Sequence, residues 1–518
     1  MGGKRQFRLL LTAASALALL PVGAAAQDRH THAHGDGAAH THAHAPAVAV
    51  LAPTEPAAGA ADADGRRWLA GDHHVHSEFS ADYEPDPTDP TAPPVPVLGV
   101  DGRYPVLKNA TMGRQFGLSW MVTTDHGGPN HSRLNHEQTY PALLAARRDV
   151  PEIVHFYGME FDTPGGDHSS LIVPGTPAER ETLRSIEFGF SEREAWPLDP
   201  ARDTEPKMIE ALRFMRDIAA PPLVIANHPS RSATDVGVYG QYRPAEFRDW
   251  NDTAPMVAVG MEGAPGHQAG ALNSDGSLDP EGARGGYRRS PTRGGYDQMT
   301  ARLGGFWDSM LGEGRRWWVT STSDSHRHYS EGGSDFWPGE YSKTWVHARA
   351  EHADILDGLR HGRVFVATGD LVSELDVTVT AGGRSADIGG ELHAPDGEPV
   401  VVTIRLRDPS AVNAAGQTPA VVRVDLILGD VTGPATDRSL DANPTTRVVH
   451  RFTAADWTRD GEVLTMTHTL TGLGQGHYVR VRGTSTAELE PAPDAPGEDP
   501  WADLWFYSNP VFLEMAGR

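Results

Sequence analysis

The pattern of apolar and polar positions changes near residue 370. Before that point short apolar runs recur at Leu118–Thr123, Ile153–Phe161, Ser170–Val173, Leu223–Ala226, Met256–Met261, Trp317–Ser321 and Thr344–Val346. Their lengths predict strands. Between several of them, Lys207–Ile218, Tyr296–Leu311 and Ile355–Leu359 repeat apolar residues at helical spacing. Strands alternating with helices predict parallel pairing and an α/β architecture, for which a barrel is one arrangement. After Gly369 the period becomes two. Val402, Ile404 and Leu406 alternate with Thr403, Arg405 and Arg407, and Val479 and Val481 alternate with Arg480 and Arg482. Val422, Val424, Leu426 and Leu428 follow the same rule. Half-buried antiparallel strands of this kind predict a β-sandwich from about 372 to 518.

Three stretches rich in Pro and Gly interrupt the first pattern: Tyr83–Tyr104, Thr176–Pro206 and Ala264–Gly295. The last carries Arg284, Arg288, Arg289 and Arg293. Loops this long inside a compact domain are usually functional, so they are expected to wall a substrate pocket.

The N-terminus has a pattern of its own. Lys4, Arg5 and Arg8 precede an apolar stretch, Leu9–Leu20, and the small residues after it end in Ala24-Ala25-Ala26. That is the form of a cleaved leader over residues 1–26, and it predicts a periplasmic or secreted protein. Residues 27–66 are rich in Ala, His, Pro, Gly and Asp and are expected to be disordered. Here His30-Thr31-His32-Ala33-His34 is repeated as His40-Thr41-His42-Ala43-His44. Alternate histidines can catch Zn²⁺ or Ni²⁺ loosely, and a solvated His-rich tail is the plainer alternative; neither belongs to a catalytic centre. A chain of 518 residues exceeds what one core usually fills. The expected division is therefore leader 1–26, linker 27–66, an α/β domain at 67–371 and a sandwich at 372–518.

Charge and composition narrow the partners. The formal net charge is −24, and loss of Lys4, Arg5 and Arg8 with the leader would make it more negative still. Such a chain repels nucleic acid and anionic membrane, so neither is an expected partner. No internal apolar run is long enough to span a bilayer. There is no cysteine, which excludes a lipoprotein anchor, disulfides and zinc–thiolate sites. Small anionic substrates remain open, because bound metal ions reset the local field.

The chemistry-bearing residues lie just after the predicted strands. Asp72-His73-His74-Val75-His76 comes first, with Asp82 further on. On a strand, His74 and His76 share a face and can grip one ion. Leu118–Val122 runs into Thr124-Asp125-His126, and Val154–Met159 into Glu160, with His168 after a short loop. Leu223–Ala226 ends at Asn227-His228-Pro229, and Val319–Ser323 at Asp324-Ser325-His326. Each group is His, Asp or Glu, a donor set suited to Mn²⁺, Fe²⁺ or Zn²⁺. Carboxyl ends of strands are where α/β barrels build active sites.

The ordered series D-x-H-x-H, T-D-H, G-x-E, H-P and S-D-x-H resembles the motif set of the polymerase and histidinol phosphatase (PHP) superfamily, over roughly residues 70–370. With Leu359–Val364 and Tyr507-Ser508-Asn509-Pro510, the chain is similar to the exported branch holding carbaryl-hydrolase-like metallohydrolases and organophosphate phosphodiesterases. The resemblance implies a distorted (βα)₇ barrel with two or three divalent metals, Mn²⁺ first among them. It implies that His74, His76, Glu160 and Asp324 hold one metal. Glu160, His168 and His228 would hold a second, and Asp82, His126 and His326 a third.

The expected activity is metal-dependent hydrolysis of small organic phosphodiesters by a hydroxide that bridges two cations and attacks phosphorus in line. Hydrolysis of a carboxylic ester, carbamate or phosphomonoester on the same site is the alternative, and a non-enzymatic periplasmic metal-binding protein is a remote one. Asp125 is a candidate to orient His126 or hold the attacking water. Arg231 and Lys343 are candidate clamps on a non-bridging oxygen, and His267 a candidate proton donor to the leaving group.

Overall fold

The computed structural model describes residues 61–89, 91–395, 397–474 and 476–516. The leader 1–26 and residues 27–60 of the linker lie outside the described residues.

Every strand expected before residue 370 is present. They are Trp120–Thr123, Val154–Asp162, His168–Ile172, Leu223–Ala226, Ala258–Ala264, Trp318–Ser321 and Ser342–Ala348, joined by Arg67–Asp72 at the front and Val364–Thr368 at the back. All four residues of Trp120–Thr123, Leu223–Ala226 and Trp318–Ser321 are buried, as expected of strands covered on both faces.

Among the strands up to Thr368, parallel pairing holds within two groups. Arg67–Asp72, Trp120–Thr123 and Val154–Asp162 are parallel, and so are Leu223–Ala226, Ala258–Ala264 and Trp318–Ser321. Between the groups His168–Ile172 runs antiparallel to both neighbours. Ser342–Ala348 pairs antiparallel with Arg67–Asp72 and with Val364–Thr368. The sheet is therefore mixed rather than all-parallel.

Its far edge comes back toward its start. Thr344 Oγ1 accepts the Ser321 N–H at 2.8 Å and donates to the Ser321 carbonyl at 2.7 Å. Past the strand ends, Val75 and Ser325 form a parallel bridge.

Helices cover these strands. Glu205–Asp217 buries Met208, Ala211, Leu212 and Met215, the i, i+3, i+4, i+7 stripe of a surface helix, and Thr204 caps it by accepting the Lys207 N–H. His352–Arg360 likewise matches expectation. The expected helix Tyr296–Leu311 is instead two short ones, Gln298–Ala301 and Phe306–Gly312. Gly304 between them is left-handed (φ 70°), which breaks the helix. The stretch Thr176–Pro206, expected to be loop, contains the helix Glu179–Phe190. Tyr83–Tyr104 contains the hairpin Asp82–Glu84 and Val95–Val97.

After Val364–Thr368 the chain is β-structure, antiparallel as expected except that Glu391–Pro395 runs parallel to Val511–Ala516. One sheet runs Arg384–Ala386, Glu374–Ala381, Val400–Arg407, Val463–Leu470, Thr458–Asp460. Val400–Arg407 alternates buried and half-buried residues along its whole length. The remaining strands do not form an independent body. Trp505–Ser508 pairs with Val364–Thr368 and with His477–Thr484, so they extend the large sheet. Some polar positions of this region are buried too: Arg480 donates to Asp308 Oδ1 and Oδ2 at 2.8 and 2.7 Å, reaching the Phe306–Gly312 helix.

Candidate metal centre

Six chain segments deliver side chains to one spot. His74 and His76 follow Arg67–Asp72, His126 follows Trp120–Thr123, and Glu160 stands near the end of Val154–Asp162. His228 follows Leu223–Ala226, and Asp324 and His326 follow Trp318–Ser321. His168 arrives differently. It begins its strand, and because that strand is antiparallel its first residue lies at the same end as the others' last. The turns that carry the ligands are held by their neighbours. Thr124 Oγ1 accepts the Val75 N–H, and Asp72 accepts those of His74 and Ser323.

Glu160 is at the centre. Its Oε1 lies 3.0 Å from His74 Nε2, 3.1 Å from His228 Nε2 and 3.4 Å from His168 Nδ1. Its Oε2 lies 2.9 Å from His126 Nδ1 and 3.4 Å from His76 Nε2. Asp324 Oδ1 closes the group, 3.0 Å from His74 Nε2 and 3.1 Å from His76 Nε2. Two donors bound to one ion at about 2.1 Å lie about 3.0 Å apart at a right angle and about 3.4 Å apart at the tetrahedral angle. The observed spacings fall in that range.

Satisfaction of hydrogen bonds points the same way. His76 Nε2, His126 Nδ1, Glu160 Oε2, His168 Nδ1, His228 Nδ1 and Asp324 Oδ1 are all buried without a hydrogen-bond partner. Buried polar atoms are ordinarily paired, and so many unpaired ones in a single cluster make a group that could hold cations. The opposite ring nitrogens of the two deepest histidines are occupied. His74 Nδ1 is 2.7 Å from Glu262 Oε1, and His76 Nδ1 is 3.0 Å from Ser80 Oγ. These partners orient the rings and leave each Nε2 lone pair aimed into the cluster.

The charges fit as well. Burial alone would depress the His74 pKa, but Asp324, Glu160 and Glu262 around it hold it well above the usual histidine range. Burial likewise works against ionised Glu160, yet His168, His74 and His126 keep its carboxyl well below normal. His76, buried and facing His326, is pushed down and stays neutral. Buried carboxylates that bind protons on their neighbouring imidazoles are a site where divalent ions take the protons' place.

The geometry divides the ligands into overlapping groups. His74, His76 and Asp324 form one, with Glu160 in reach of both histidines. His126, Glu160 and His168 form another, and Asp167, His168 and His228 a third. His76, His126 and His326 meet Asp101, not Asp82. Asp101 Oδ2 lies 3.8 Å from His126 Nε2 and 3.6 Å from His326 Nε2. Asp82 is exposed on the hairpin, opposite Val97, so the expectation for it is corrected.

Two further expectations change, those for Asp125 and Lys343. The Asp125 carboxylate accepts from the Ser77 N–H at 2.5 Å and from its hydroxyl at 2.8 Å, so it pins the turn after His76 rather than the His126 ring. Burial pushes this carboxyl up to about 6 against those two hydrogen bonds. Lys343 is ion-paired with Asp370, just past the end of Val364–Thr368, which commits its ammonium away from the role of oxygen clamp. Arg231 does stand beside the cluster, with Nη2 on Asp167 Oδ1 at 2.7 Å.

His267 is also at the cluster, its Nε2 3.1 Å from Asp324 Oδ2 and its Nδ1 2.5 Å from Asp335 Oδ1. Burial opposes its charge, but these two carboxylates raise its pKa well above normal. His228, His267 and Asp324 all have positive φ (31°, 54° and 47°). Such conformations cost about 1–3 kcal/mol each and concentrate at functional sites. The close approach behind Asp324 requires Gly266, where a Cβ would stand 2.0 Å from the Asp324 Cβ.

Beyond Asp101, the expectations omitted Glu262, which accepts from His74, from the Thr322 hydroxyl at 2.7 Å and from the His228 N–H at 2.5 Å. They also omitted Asn227, whose amide donates to Glu160 Oε1 at 2.9 Å. Asn227 stands directly before the predicted ligand His228, and that adjacency was the one signal for it.

No family model matches the sequence, and no curated protein matches it. Fold and site define a mixed α/β protein with several buried His, Asp and Glu groups that could hold metal ions.

Proposed function

We propose that this chain is an exported, multinuclear metal-dependent hydrolase of PHP type, and that it cleaves small organic phosphodiesters. The observation that carries the reading is the set of unpartnered buried donor atoms around Glu160, spaced as ligands of shared ions. In this reading the returning edge of the sheet is the closure of a distorted barrel, and the leader sends the protein to the periplasm or beyond.

Two or three divalent ions, Mn²⁺ foremost and Zn²⁺ or Fe²⁺ as alternatives, would supply Lewis-acid charge and a water acidic enough to attack near neutral pH. His74, His76, Glu160 and Asp324 would hold the first. Glu160, His168 and His228 would hold the second, and Asp101, His126 and His326 the third. Arg231 supplies a fixed positive charge for a phosphoryl oxygen. His267 carries a proton between Asp324 and Asp335, and donating it would neutralise a departing alkoxide. Both groups favour an anionic substrate with a poor leaving group.

The test is turnover of bis(p-nitrophenyl) phosphate by the Mn²⁺-loaded protein, beside p-nitrophenyl phosphate and a naphthyl carbamate. The diester should be cleaved fastest, with activity lost on chelation. Faster cleavage of the monoester or carbamate moves the assignment to that bond, and absence of metal-dependent turnover on all three ends the reading.

A further inference from the structure

The face of the cluster around His168 is flanked by two guanidinium groups. On one side Arg231 Nη2 is 2.7 Å from Asp167 Oδ1, and that oxygen is 3.5 Å from His168 Nδ1. On the other, Arg193 Nε is 2.7 Å from Asp162 Oδ1, which is 3.8 Å from His168 Nε2. Each arginine is thus tied to a carboxylate that itself touches the same histidine. Neither is used up by that tie. The Arg231 and Arg193 side chains keep 33% and 43% of their surface exposed, while Asp167 and Asp162 are buried.

Both are held from below. Arg193 Nη2 donates to the carbonyl of Gly127, the residue after His126, at 3.3 Å. The Ser191 hydroxyl donates to Asp162 Oδ2 at 2.9 Å and fixes the carboxylate that Arg193 uses. Arg231 follows His228 by three residues, and the Ser230 N–H and hydroxyl between them donate to Asp297 at 2.8 and 2.7 Å. Tyr287 donates to the same Asp297, and the exposed Arg288 and Arg289 come directly after it. Arg193 and Arg231 on two sides of one histidine stand out in a chain of net charge −24.

We propose that Arg193 and Arg231 form a two-pronged anion subsite over His168 that grips two non-bridging oxygens of a phosphoryl group. It deepens the hydrolase reading and rests on it: the subsite selects phosphoryl substrates over neutral carboxylic esters. A planar guanidinium with part of its fork free matches a phosphoryl oxygen, and fixing it in advance lowers the ordering cost of binding. Arg193 is then the specificity residue that no sequence signal marked.

The direct probe is inorganic phosphate, titrated calorimetrically into the Mn²⁺-loaded protein. Arg193→Gln and Arg231→Gln should each weaken phosphate at least about tenfold, and the double variant about a hundredfold. Arg193→Lys and Arg231→Lys keep the ion pairs to Asp162 and Asp167 but lose the fork. They should keep full metal content and still bind phosphate several-fold more weakly. KM for bis(p-nitrophenyl) phosphate should rise in parallel, while turnover of p-nitrophenyl acetate stays level. Equal phosphate affinity across the series, or an equal loss on the neutral acetate, overturns the subsite. If no ester is hydrolysed at all, the hydrolase reading falls while the phosphate titration still decides the subsite.

Discussion

At the scale of single residues, Glu262 shows how the site is held. It is fully buried, yet one carboxylate fixes the His74 ring and the backbone of His228. These two histidines belong to different groups that could each hold a metal ion, so Glu262 sets their spacing. Glu262→Gln replaces an acceptor by an amide that turns a donor toward one of three donors. Loss of such a partner typically costs 10–100-fold in metal affinity, and that is the expected effect, read by competition with a chelator. His74, His76, His126, His228 and His326 were legible because each follows the end of an apolar run, and a strand end followed by His has few other readings; His168, which begins its strand, had no such run before it. Glu262 was not legible as a partner, because it sits inside the run Ala258–Ala264 with no histidine beside it. Asp101 was hidden for another reason. It enters from the end of the hairpin segment, and no periodicity reports where such a segment folds back.

At the scale of elements, the His131–Glu187 pair joins two helices near the site. His131 Nδ1 is 2.6 Å from Glu187 Oε1, between His131–Leu134 and Glu179–Phe190, and both side chains are buried. Burial opposes the His131 charge, but Glu187 overrides it and raises the pKa to about 9. The folded value is above the unfolded one of about 6.5, so the pair's stability is complete below that pH and is lost as pH rises toward 9. In that window it should fall by about 1.4 kcal/mol per pH unit. Urea denaturation of wild type and His131→Gln should show that extra slope in the wild type only; parallel curves would refute it. Helix Glu179–Phe190 escaped sequence reading because its buried side includes Glu179 and Glu187, so the apolar stripe is thin. Val106–Gln115 escaped likewise, since Asn109, Ala110 and Gly113 fill its buried positions. Glu205–Asp217 was legible because its four buried residues are Met, Ala, Leu and Met.

At the scale of the whole molecule, the C-terminal strands complete the sheet that carries the ligands. Asn509 Oδ1 accepts the Val319 N–H at 2.9 Å, and its amide donates to the Val319 carbonyl at 3.3 Å, on the strand that leads to Asp324. Period two in residues 400–482 was a sound guide to strands. It could not show that Arg480 and Arg482 face buried acids rather than water, because a buried ion pair and a solvated face read alike in sequence. The His-rich tail is the natural rival of the buried cluster as the place where metal binds. The decisive measurement is the metal content of the dialysed, Mn²⁺-loaded protein lacking residues 27–66, beside the same protein carrying His74→Ala and Asp324→Ala. The account predicts two or three ions per chain in the first and loss of bound metal in the second. Metal that disappears with residues 27–66 and is indifferent to His74 and Asp324 would contradict it.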